Sequence, residues 1–225
     1  MNRLTRKFRD LDDAVNNSNE VFNLRKRPAP TEEKTSTTKR NPLAQFDKFS
    51  RTELLLSGWE MIDENFPLPI EGLLDTKFVG YVNTKDRYED ATPSSPMFGV
   101  DCEMCMTTKS EQELTRISVV DERCGVVYEQ LVKPDNYITN YLTKYSGITP
   151  AMMRGVTKRL EDVQLDLREL LPEDAILVGH SLSNDLHAMK MFHPYIIDTR
   201  LVKRCLIEKV VFVRSTWRRV RNRKC

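Results

Sequence analysis

Apolar and polar positions divide the chain into regimes with different periods. Residues 1–41 sustain no hydrophobic period and are rich in Lys, Arg, Thr and acidic residues. A segment of that kind is expected to be disordered. Residues 42–96 carry a short apolar run, "SRTELLLSG" at 50–58, followed by a proline-rich stretch. Ser50 with Glu53 three positions later reads as a capping box, and Gly58 as a helix stop. This segment is expected to be a helix plus an arm laid on a larger domain.

From Met97 to Thr199 the pattern becomes that of a folded α/β layer. "MFGVDCEM" (97–104), "ELTRISVVDE" (113–122) and "GVVYEQLVKP" (125–134) read as strands joined by short turns. Together they predict an antiparallel meander. "ITPAMMRGV" (148–156) predicts a short helix with Pro150 in its first turn. In "LEDVQLDLRELL" (160–171), Leu160, Val163, Leu167, Leu170 and Leu171 share one helical face. "AILVGHS" (175–181) reads as a buried strand, and "SNDLHAMKMF" as a helix whose stripe is Leu182, Leu186 and Met189. "YIIDT" closes the order as a short strand. The sequence β-β-β-α-α-β-α-β predicts a mixed sheet with flanking helices.

Within the first of these strands the alternation places Phe98, Val100 and Cys102 on one face and Asp101 and Glu103 on the other. Two carboxylates beside a core raise each other's pKa and are costly to bury. A divalent metal relieves both problems and creates a site for phosphoryl chemistry. A lone D-x-E is more often an ordinary charged strand face. Asp185 falls in the first turn of the helix after "ILVGHS", where a carboxylate is also favoured by the helix dipole alone.

The ordered set "GVDCEM", "ELTRISVVD", "LVKPDN", "YSGIT", "VGHSLSNDLHAMK" and "HPYIIDT" resembles the DEDDh group of 3′→5′ exonucleases, and within it the RNA exonuclease 1 family. The resemblance covers about residues 50–199 and implies an RNase H-like fold. It also implies two Mg²⁺ or Mn²⁺ ions, held by four acids, acting on the 3′ ends of single-stranded RNA. On that pattern Asp101, Glu103 and Asp185 are catalytic metal ligands, Met104 lies near the terminal nucleotide, and Asp198 and Thr199 support the ligands from behind. The pattern's remaining motif, a histidine base and a fourth aspartate on a helix, has no counterpart: residues 200–225 contain neither His nor Asp. His180–Asp185 and His193–Asp198 have the right spacing but not the helical setting. His193 reads as a loop histidine and His187 as a partly exposed helical one. The fold is therefore expected to be incomplete at its C-terminus and activity impaired. The alternative is an inactive RNA-binding or regulatory form.

Charge sharpens the division into segments. Net charge is +2 overall, but residues 200–225 hold ten basic and one acidic residue and residues 1–41 ten and six, so the middle is acidic, at −11. Basic ends suit nucleic acid or an import receptor. Arg25-Lys26-Arg27-Pro28 resembles a nuclear-import signal, which places the protein in the nucleus. The tail does not continue the family pattern. It reads either as a different C-terminus or as an RNA-binding extension with Arg218, Arg219, Arg221 and Arg223 on phosphates and Trp217 stacking. No apolar run approaches the ~20 residues of a membrane span. The five cysteines are expected to be reduced, with no metal or redox role for Cys102-x-x-Cys105.

Overall fold

The computed structural model describes residues 43–47, 49–70, 73–74, 76–109 and 112–201. The expected disorder of 1–41, the basic cluster at 25–28 and the tail lie outside the described residues. The strands are β1 (Val82–Asn83), β2 (Met97–Thr107), β3 (Gln112–Val120), β4 (Val126–Leu131), β5 (Ile138–Asn140), β6 (Ile176–Gly179), β7 (Met191–Phe192) and β8 (Ile196–Asp198). The helices are α1 (Gly58–Asp63), α2 (Thr143–Ser146), α3 (Leu160–Leu170) and α4 (Leu182–Met189).

The meander forms as the alternation predicts, with β2 antiparallel to β3 and β3 to β4. The main sheet runs β4-β3-β2-β6-β8, and β6 joins β2 in parallel. This is the mixed, helix-flanked sheet of an RNase H-like fold. Val100 and Cys102 of β2 and Ile117 and Val119 of β3 are buried together with Val163 and Leu167 of α3 and Leu182, Leu186 and Met189 of α4. Leu114 and Ile117 are three positions apart, yet both belong to this core. A bulge accounts for it: Glu103 pairs with Arg116 and Met104 with Leu114, leaving Thr115 as the extra residue. The Thr115 hydroxyl donates to the Glu103 carbonyl at 2.9 Å.

Two expectations need correction. The capping box closes at Ser57 and Glu60, not at Ser50 and Glu53. Residues Arg51–Leu54 form only a 3₁₀ turn, because Arg51 is drawn into the core. Its guanidinium donates to both Glu122 oxygens at 2.7 and 2.8 Å, to the Ser95 carbonyl at 2.7 Å and to Asp47 at 2.6 Å. Second, residues 149–155 form loose turns rather than a helix; Gly155 sits at φ +75° and interrupts any helical continuation. His193 lies, as expected, in the loop between β7 and β8, yet it is buried. It is 1% exposed, with Nδ1 2.6 Å from the Thr84 hydroxyl and Nε2 2.8 Å from the Ala175 carbonyl.

The segment before Met97 is built into the body. The Leu56 amide donates to the Ile196 carbonyl at 2.9 Å. β1 pairs in parallel with β7, and Met61, Phe66, Leu68, Phe78 and Tyr88 are core residues.

Candidate active site

The site lies where β2 changes neighbours. Along one edge β2 is paired continuously with β3. Along the other, β6 covers Met97–Gly99 and β5 covers Met106–Thr107. Between them a window of six residues, Val100 to Cys105, has no strand beside it. A ligand site is expected at such a place, outside the carboxyl end of a parallel strand where the sheet reverses direction.

Asp185 fills the middle of this window. Its Oδ1 accepts the Cys102 backbone N–H at 2.7 Å, and the residue is 7% exposed. Asp101 and Glu103 flank Cys102 and are half-buried. Their partners across β3 are Ser118 and Arg116, and Arg116 pairs with Glu129 at 2.9 Å. Asp101 acts on Asp185, and all three acids act on Cys102. Burial, and then the charge of Asp101, push the Asp185 carboxyl well above the usual carboxylate range. Burial, followed by Asp185, Asp101 and Glu103, pushes the Cys102 thiol up strongly. All three carboxylates are therefore felt at one point of β2.

What holds Asp185 there is the start of α4. Gly179 ends β6 against β2: a Cβ on it would lie 2.7 Å from Leu182 Cδ1 and 3.2 Å from the Val100 carbonyl oxygen. Asp198, fully buried, then accepts three backbone amides: Ser181 and Arg200 on Oδ1 and Leu182 on Oδ2, each at 2.9 Å. Ser181 turns through φ +57°, and the Asp198 carboxylate takes the place of a side-chain cap at the helix start. Thr199 bonds the Gly179 carbonyl through both its amide and its hydroxyl, and its hydroxyl lies 3.0 Å from His180 Nδ1. Met104 sits beside Glu103, partly buried against the core and opposite Leu114.

The donor set, carboxylate oxygens alone, suits a hard divalent cation such as Mg²⁺ or Mn²⁺. Among the described residues no group of three or more His, Cys, Asp or Glu side chains is arranged to hold one ion in common. Cys102 and Cys105 are free and buried, and three positions apart on a strand they face opposite ways. His187 is half-buried on α4, with Nδ1 2.8 Å from the Tyr81 hydroxyl and Nε2 2.8 Å from the Asn65 carbonyl. Sequence reasoning missed Arg51 and Glu122 altogether. An arginine at the head of a short apolar run carries no sign that its partner lies 71 residues on.

An exonuclease family model matches residues 98–206. RNA exonuclease 5 of Bos taurus is 51% identical over 166 residues, which span 72% of this chain and 20% of that protein. RNA exonuclease 1 of Saccharomyces cerevisiae is 42% identical over 159 residues, 69% of this chain and 27% of that one. Among solved structures, the pseudoubiquitin hydrolase–RNA exonuclease module of Saccharomyces cerevisiae Pan2 is 20% identical with a TM-score of 0.42, covering 56% of this chain and 24% of that one. The chain thus spans between a fifth and about a quarter of the length of the two curated relatives.

Proposed function

We infer from one premise, that the chain belongs to the RNA exonuclease 1 family, that it is a metal-dependent phosphodiesterase domain removing nucleotides from the 3′ end of single-stranded RNA. The observation that carries this reading is the window in β2, where Asp185 docks between Asp101 and Glu103. Exonuclease domains of this family generally use two divalent ions, and Mg²⁺ or Mn²⁺ fits the oxygen donors here. Such ions, when bound, lower the pKa of water and neutralise charge at the phosphate. Asp101, Glu103 and Asp185 would hold them. Asp198 and Thr199 fix the helix start and strand end that carry Asp185, and Met104 borders the place of the terminal nucleotide. A cation also answers the burial of the Asp185 carboxylate and its repulsion by Asp101.

The test is a single-stranded RNA labelled at its 5′ end and incubated with Mg²⁺. Progressive shortening from the 3′ end is expected, abolished by EDTA and reduced at least about 100-fold by Asp101→Asn or Glu103→Gln. Undiminished cleavage in both variants would overturn the assignment. A DNA strand of the same sequence, run in parallel, separates RNA from DNA specificity.

A second reading is an RNA-binding or regulatory form of the same family, which binding of the RNA without any shortening would mark. Nuclear location remains part of the proposal. Replacing Arg25, Lys26 and Arg27 by Ala in a tagged protein should shift it to the cytoplasm, and unchanged nuclear retention would remove the cluster's role.

A further inference from the structure

A cleft of about 430 Å³ is walled by the segment before Met97, the start of β3, the β4–β5 connection and one face of α4. Four exposed lysines line it: Lys77, Lys109, Lys133 and Lys190. Among the described residues none of the four is in an ion pair. Lys77 donates only to the neutral Asn65 side chain, at 2.9 Å.

The two acids in the cleft wall are already engaged. Glu113 accepts the Asn136 side-chain amide at 2.7 Å and the Asp135 backbone N–H at 2.9 Å. Against the cost of burial, these bonds hold it below the usual carboxylate range. Asp135 pairs with Arg159 at 3.3 Å. The field left over is therefore positive, even though the middle of the chain is acidic.

The cleft starts next to both halves of the acid site. Asn184, in its wall, precedes Asp185, and Leu114, also in its wall, pairs with Met104 beside Glu103.

We propose that this cleft is a phosphate-binding subsite, in which Lys77, Lys133 and Lys190 hold the backbone of a single-stranded RNA upstream of the nucleotide at the acids. The proposal rests on the RNA reading above and extends it. Lys77 stands outside the family-matched residues 98–206, so the N-terminal arm becomes part of the RNA path rather than packing alone. Flexible ammonium groups suit such a subsite, because they contact phosphate without demanding a sequence. Tyr81 and His187, bonded to each other in the wall, offer ring surface beside the phosphates.

The test measures binding and turnover separately. A fluorescein-labelled RNA of about 12 nucleotides, long enough to cover a single-strand groove, is titrated with the full chain in EDTA, where hydrolysis is absent, over a range of KCl. Replacing Lys77, Lys133 and Lys190 together by Ala should weaken binding at least about ten-fold. It should also lower the slope of log affinity against log salt by about 2, since each single-strand phosphate contact contributes about 0.7. The corresponding triple Lys→Arg variant should restore both, which excludes a folding defect. With Mg²⁺, the Ala variant should raise KM for the longer RNA while cleaving a dinucleotide, too short to reach the cleft, at the wild-type rate. Equal affinity and slope in wild type and Ala variant would overturn the subsite, as would no RNA binding by wild type at low salt. Displacement of the RNA by polyglutamate of equal charge would reassign the cleft to acidic proteins and also overturn it. If wild type binds RNA but cleaves neither substrate, the hydrolytic reading fails while the binding data still decide the cleft.

Discussion

Asp198 shows how much one buried side chain decides. It accepts three amides at the turn into α4, so Asp198→Ala leaves three donors without their acceptor. We expect a loss of about 2–4 kcal/mol, read as a lower denaturant midpoint at constant m, and a smaller loss in Asp198→Asn. His193 predicts a pH dependence. Burial lowers its pKa from 6.5 to about 4, so between these values the unfolded chain takes up a proton that the folded chain refuses. Its contribution is fully present above about pH 6.5 and is lost as pH falls toward 4, by about 3 kcal/mol. Urea midpoints at about pH 4.5 and 7, which bracket that window, should differ less in His193→Gln than in wild type. At this scale the sequence makes Asp101, Glu103 and Asp185 legible, because carboxylates on a strand face and at a helix start stand out against apolar neighbours. It conceals His193, whose burial depends on Thr84 and on Ala175, residues far from it in sequence or hidden in a strand end.

Among elements, those legible in the sequence carry an alternation, a helical stripe or a continuous apolar run: β2, β3, β4, β6, β8, α3 and α4. β1, β5 and β7 escape it, since two or three residues carry no period. The capping box reads one pattern too early, because S-x-x-E occurs twice and only tertiary contacts choose between Ser50 and Ser57. Those contacts are Arg51 with Glu122, which tie the arm to the start of β2 and the end of β3. Arg51→Met should cost about 3–5 kcal/mol by stranding the Glu122 charge. Adding Glu122→Gln should recover part of it, measured as a double-mutant cycle. Gly179→Ala tests the junction of β6, β2 and α4. The new methyl meets the Val100 carbonyl oxygen at 3.2 Å and Leu182 closer still, so Asp185 is expected to shift. Lower activity with a modest loss of stability would follow, and full activity would show that the junction has slack.

For the whole molecule, the arm and the α/β body are one cooperative unit. The arm contributes Met61, Phe66, Leu68, Phe78 and Tyr88 to the core, and a chain starting at Met97 would expose the surfaces they cover. Such a fragment should bind a hydrophobic dye and melt without a sharp transition. The pairing of β1 with β7, and of Leu56 with Ile196, has a further consequence during synthesis. The arm leaves the ribosome first, but Ile196 follows 140 residues after Leu56, a delay of roughly 7–28 s at typical elongation rates of about 5–20 residues per second. For that interval the arm's leucines and aromatics have no surface to dock on, which makes the nascent chain a client for holding chaperones and makes arm docking a late step of folding.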